Sequence, residues 1–182
     1  QFATELFNQY KKYGVDVALY DKDLDMYKET QKGHGAYTNQ GYSNVVEVHF
    51  NAASADAHGT EVLLVSGGKP DSIDNGFLDG LNNHFTNRGF KYRSDLLNMN
   101  VYATSACSYR LIEVCFISNK ADMDHYNANY KNIALDIVLK TYANLGGSKP
   151  TTDKPKYYFE VVAARDKADV DAYKCDALRD KT

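Results

Sequence analysis

Phe2, Leu6, Tyr10 and Tyr13 recur at helical spacing, and Gly14 stands where a helix commonly stops. Residues 15–20 then alternate apolar and polar as a strand does and run into the acidic turn Asp21-Lys22-Asp23. The pattern predicts a helix over 24–31, then a loop rich in Gly, Asn, Gln and Ser over 33–44. The clearest strand is 45–50, β-branched and dense in apolar residues; a second, 61–65, is closed by Gly67-Gly68. Over 72–87 the residues Ile73, Phe77, Leu81 and Phe85 share one helical face, and Arg88-Gly89 ends the run. Short strands are predicted at 101–102 and 111–116. A helix over 129–145 is buried along Ile133, Ile137, Val138 and Tyr142 and stopped by Gly146-Gly147.

Strands alternating with helices imply an α/β domain over 1–145, its sheet largely parallel and covered by helices on both faces. Residues 146–155, made of Gly, Ser, Lys, Pro, Thr and Asp, read as a linker. Residues 156–182 predict a strand (157–163) and a charged helix (167–179). So short a stretch buries too little surface to fold alone, so it reads as the opening of a second module.

Composition narrows the function. The chain has 182 residues, 43% hydrophobic and 25% charged, enough to bury a core. A net charge of -3, a pI near 5.9 and the lack of any Lys/Arg cluster argue against nucleic acid as a partner. No run of about 18 apolar residues is present to span a membrane. Residues 1–10 lack the basic-then-apolar order of a signal peptide. Cys107, Cys115 and Cys175 are odd in number and lack metal-ligand spacing, which suggests thiols buried as small apolar groups.

Two apolar strands carry ionisable residues. In Val45-Val46-Glu47-Val48-His49-Phe50, His49 lies at the strand's end, where α/β sheets place their sites, and period-2 geometry puts Glu47 and His49 on one face. In Leu111-Ile112-Glu113-Val114-Cys115-Phe116, Glu113 sits between apolar neighbours. A carboxylate there is costly unless paired, metal-linked or protonated; its raised pKa suits a general base working near neutrality. Singly, each reads more readily as an ordinary hydrogen-bonded residue than as a site residue.

Together with their surroundings they carry a resemblance. His49-Phe50-Asn51-Ala52 followed by Gly59-Thr60-Glu61-Val62, and Leu111 through Asn119 (Leu-Ile-Glu-Val-Cys-Phe-Ile-Ser-Asn) followed by Lys120-Ala121-Asp122, resemble the two signatures of the zinc-dependent N-acetylmuramoyl-L-alanine amidase family of autolysins and phage endolysins. The likeness extends over residues 1–145. It implies a mixed, largely parallel sheet flanked by helices, and a Zn2+ held by two histidines and a glutamate with one position open to water. It also implies that His49 is the last of the metal ligands and Glu113 the catalytic glutamate. The implied substrate is bacterial peptidoglycan, cut between N-acetylmuramic acid and L-alanine, so the implied place of action is the bacterial cell wall.

The resemblance also implies that the other two ligands and one internal strand lie upstream of Gln1. A sheet without that strand would leave neighbouring strands with unpaired backbone groups. Gly33-His34-Gly35 follows a polar run rather than an apolar strand, so His34 reads as a loop histidine; His58, His84 and His125 read as solvated. The tail beginning Lys156-Tyr157-Tyr158-Phe159 faintly resembles the start of a sporulation-related (SPOR-like) peptidoglycan-binding repeat. Two other readings stand beside the amidase: a metal-free wall-binding relative, and a cysteine hydrolase using Cys115 with His49, in which Cys115 shares a strand face with Glu113.

Overall fold

A computed structural model describes residues 1–144 and the backbone of residues 159–163. In chain order the elements are α1 (Phe2–Lys12), β1 (Val17–Leu19), α2 (Met26–Gln31), a 3₁₀ turn (Gly35–Tyr37), β2 (Asn44–Asn51), β3 (Thr60–Val65), α3 (Ser72–Asn82), β4 (Asn87–Arg93), α4 (Leu97–Tyr102), β5 (Ser108–Phe116), α5 (Lys120–Asn144) and β6 (Phe159–Ala163). The strands form one sheet in the order β1-β6-β2-β5-β3-β4, and every neighbouring pair runs parallel except β5 with β3.

Alternation along the central strands builds the layers. Val46 and Val48 of β2, Ile112 and Val114 of β5, and Val62 and Leu64 of β3 point to one side, where they pack with Leu6 and Tyr10 of α1, Phe77 and Leu81 of α3, and Ile133 and Ile137 of α5. Val45, Leu63, Tyr109 and Leu111 point to the other, against Met26 of α2 and Met99 and Tyr102 of α4. The predicted α/β class, with a mixed, largely parallel sheet flanked by helices, is the architecture found. Arg110, fully buried, ties β5 to α3 through Asp74 at 2.7 Å and to β2 through the Asn44 side chain at 3.1 Å.

Four elements differ from expectation. Residues 101–102, expected as a strand, close α4; burial of Met99, Val101 and Tyr102 against the sheet outweighs the β preference of Val and Tyr. The helix expected over 72–87 ends at Asn82, and the polar segment after it is edge strand β4, whose exposed Arg88 and Lys91 hide the usual strand signal. Helix α5 begins at Lys120 rather than 129, its first turns too polar to show a buried face.

The fourth concerns the tail. Backbone 159–163, assigned from sequence to the opening of a second module, lies inside this sheet between β1 and β2, pairing Val17 with Phe159 and Val48 with Ala163. The unpaired edges expected of a sheet lacking an internal strand are therefore absent at this place. The linker and the charged helix expected over 167–179 lie outside the described residues. Among the described residues no helix is long and apolar enough to cross a membrane.

Candidate active site

The register of three neighbouring strands brings the two singled-out residues together. His49 of β2 is the cross-strand partner of Glu113 of β5, and Glu113 is in turn the partner of Glu61 of β3. Partners in register point to the same face, so His49, Glu113 and Glu61 form a row near the C-terminal end of β2.

Glu113 occupies the middle of that row. Its Oε2 is buried with no hydrogen-bond partner among the described residues. Burial pushes its pKa from 4.5 up to about 7; His49 and Arg93 pull it down, while the charges of Glu61 and Glu47 push it further up. Glu61 itself is fully engaged, receiving Asn51 Nδ2 at 2.9 Å on one oxygen and Arg88 Nε at 3.0 Å on the other. Two carboxylates side by side thus differ in kind: one hydrogen-bonded and ion-paired, one poised to exchange a proton near pH 7.

Behind His49 lies a buried polar cluster. Glu47 meets His49 Nε2 at 2.9 Å through Oε1, while its Oε2 accepts from Asn98 Nδ2 at 3.1 Å and from the Tyr109 hydroxyl. Burial alone would raise the Glu47 pKa, but these donors, His49 foremost, hold it below the usual carboxylate value. Burial and the Glu47 charge push the Tyr109 phenol far up, so it stays a donor. Beside the cluster opens a cavity of about 320 Å3 lined by His49, Asp25, Lys28, Leu96 and Leu97.

The remaining signature residues hold the loop that follows β2. Asp122 Oδ2 accepts both the Gly59 N–H at 2.9 Å and the Phe116 N–H at 3.0 Å. Ser118 Oγ accepts from Ala53 N at 3.1 Å, and Asn119 Nδ2 donates to Ala55 O at 2.7 Å. Gly59 has φ +103, and a Cβ on it would lie 2.4 Å from the Thr86 carbonyl oxygen, so glycine alone fits. These contacts tie the chain after His49 to the chain after Glu113.

Several expectations change. Cys115 does not share a face with Glu113: the ladder slips between His49 and Asn51, and the resulting bulge turns both Val114 and Cys115 into the helix-covered core. Its thiol is pushed far up by burial and by the Asp122 and Glu113 charges, which removes the cysteine-hydrolase reading. His84 is not solvated but bonded to Asp136 Oδ2 at 2.9 Å, with His125 Nε2 at 3.4 Å from its other nitrogen. His58 and His34 are exposed. Catalytic zinc takes three protein ligands, and among the described residues no group of three or more His, Cys, Asp or Glu is placed to hold a metal. The described donors do not by themselves make a zinc site.

Tyr109, Asn98 and the Arg88–Glu61 pair were not singled out from sequence. Tyr109 was within reach, because period 2 aligns it with Leu111 and Glu113; Asn98 was not, because its helix was unrecognised.

The sequence profile described as N-acetylmuramoyl-L-alanine amidase matches residues 1–139. The chain is 37% identical over 151 residues to the "Probable autolysin PH" of Staphylococcus aureus, an alignment taking in 75% of this chain and 30% of that relative. It thus spans under a third of that relative's length. Among solved structures it resembles the catalytic domain of the CD27L endolysin targeting Clostridia Difficile, with TM-score 0.64 and 29% identity, covering 78% of this chain and 79% of that one. The CwlD amidase from Clostridioides difficile, in complex with the GerS lipoprotein, shares the fold at TM-score 0.65 and 19% identity, over 81% of this chain and 85% of that one.

Proposed function

Because the chain belongs to the N-acetylmuramoyl-L-alanine amidase family, we propose that it is the catalytic part of a peptidoglycan hydrolase acting at the bacterial cell wall. The bond cut is the amide between the lactyl group of N-acetylmuramic acid and the L-alanine of the stem peptide. The observation that carries this reading is Glu113, a carboxyl group with a partnerless buried oxygen and a pKa near 7, seated beside His49.

Amide hydrolysis needs one proton removed from the attacking water and one delivered to the departing nitrogen. A group titrating near the working pH does both, typically for a 10²–10⁴-fold gain in rate. Glu113 takes the proton from water as the carbonyl carbon is attacked, then gives it to the alanine nitrogen as the C–N bond breaks. The cofactor the family implies is Zn2+, which when bound polarises the carbonyl and acidifies water, and His49 would be one of its ligands. Completing that site takes two ligands beyond the described set.

Purified peptidoglycan incubated with the protein should gain free amino-terminal L-alanine without gaining reducing sugar ends. Glu113→Gln should lower that rate by about 100-fold or more. New reducing ends, or no new ends of either kind, would overturn the assignment. A second reading is a wall-binding relative without activity. Co-sedimentation with the wall, with no release of alanine ends, would support it instead.

A further inference from the structure

The proton transfers assigned to Glu113 leave Glu47 without a part, yet Glu47 is 5% exposed and three donors converge on it. They come from three elements: His49 from β2 itself, Asn98 from α4 and Tyr109 from β5. A buried carboxylate gives the fold no advantage over an apolar side chain of its size, which would pack there without needing partners. The arrangement also has a direction. Both outer donors fall on Oε2, while Oε1 faces His49 Nε2 alone.

A neutral imidazole has one donor nitrogen and one acceptor nitrogen, and an ionised carboxylate only accepts. With Nε2 at 2.9 Å from Glu47 Oε1, the ring hydrogen belongs on Nε2. We propose that Glu47 is the positioning residue of this site: it fixes His49 as the Nε2–H tautomer, making Nδ1 the ring's lone-pair nitrogen, and Tyr109 and Asn98 hold Glu47 to that task. A carboxylate behind an imidazole commonly sets both ring angle and tautomer in this way.

The anchoring through Tyr109 adds a second consequence. Tyr109 and Glu113 lie on one strand and one face, and the Tyr109 ring stacks on Tyr102 at 5.2 Å and 17°. The imidazole is thereby referenced to the strand that carries Glu113. The inference rests on the reading of His49 as a site residue, but the geometry it describes does not depend on wall hydrolysis.

The test is Glu47→Gln in the whole chain, read by ¹⁵N–¹H correlation of the histidine ring nitrogens at a pH well above the ordinary histidine pKa. Asn98 and Tyr109 still demand an acceptor at the Oε2 position, so the glutamine oxygen takes that place and its NH2 faces His49. Nε2 must then accept, and the proton moves to Nδ1. The wild-type chain should show His49 as the Nε2–H form, and E47Q should reverse the preference by about tenfold or more. A wild-type Nδ1–H form, or a folded E47Q with an unchanged ring, overturns the proposal. If E47Q does not fold, Glu47→Asp draws the carboxylate back by one methylene; loss of the tautomer preference supports the proposal and an unchanged preference overturns it. In the wall assay E47Q should lower kcat by about 10–100-fold with little change in KM. Alanine release that is absent even from wild type, together with a correct tautomer, would sink the amidase reading and leave this one standing.

Discussion

Glu113 has His49 on one side and Glu61 on the other, and its readiness to lose a proton near neutrality works against the fold. Its folded pKa is about 7, above the ordinary 4.5, so between those values the native chain keeps a proton that the unfolded chain has released. Stability therefore falls as pH rises from 4.5, and the deficit is complete above about 7. Glu113→Gln cannot ionise and should be more stable than wild type at about pH 8, by at most about 3 kcal/mol, with the gain gone at about pH 4. Urea unfolding at both pH values measures this; an equal gain at both, or a loss at pH 8, would show that the carboxyl is not strained by burial. Activity should climb through pH 7 on the same titration. At this scale His49 and Glu113 were legible because each breaks an apolar strand. Their register was not, since pairing depends on residues far apart in sequence. Glu61 stands out in the sequence only as part of a motif, and nothing local reveals that Arg88 pairs with it.

Helix packing tests the layer beneath the site. A Cβ on Gly80 of α3 would lie 2.5 Å from Ile137 Cα and 2.8 Å from Ile137 N on α5. Those are backbone atoms, which cannot rotate out of the way. In an open helix Gly→Ala stabilises by about 1 kcal/mol. Here the helices must separate, so Gly80→Ala should lose about 1–3 kcal/mol in urea unfolding. A gain would show that α3 and α5 do not pack this closely. Elements were readable from sequence wherever burial was one-sided. Helix α1 and strand β2 carry a clear apolar period and came out as expected, while β5 begins at Ser108, ahead of the expected 111. Strand β4 is an edge with exposed charged side chains, so neither face shows the pattern. In α4 a six-residue helix is held by contacts with the sheet, a context that local propensity does not contain.

At the scale of the molecule, β6 completes the sheet. Residues 157–163 read as a strand on composition alone, but their low sequence proximity to β1 and β2 and the Gly/Pro-rich stretch before them pointed to a separate module. The pairing found gives β6 two parallel neighbours and makes it the partner of all three residues of β1. These alternatives separate cleanly in experiment. If β6 belongs to the sheet, deleting residues 146–182 strips β1 of a partner and one side of β2 of its hydrogen bonds. Each such bond contributes about 1 kcal/mol net, so several are lost together. The melting temperature should fall by on the order of 10 °C, and amides of Val17–Leu19 should lose protection from hydrogen exchange. If the tail is a module of its own, neither quantity should change. The outcome bears on the site too, because β6 runs beside β2 as far as Val48, one residue short of His49. A sheet that loosens there would loosen the imidazole, so wall hydrolysis should fall with the melting temperature rather than independently of it.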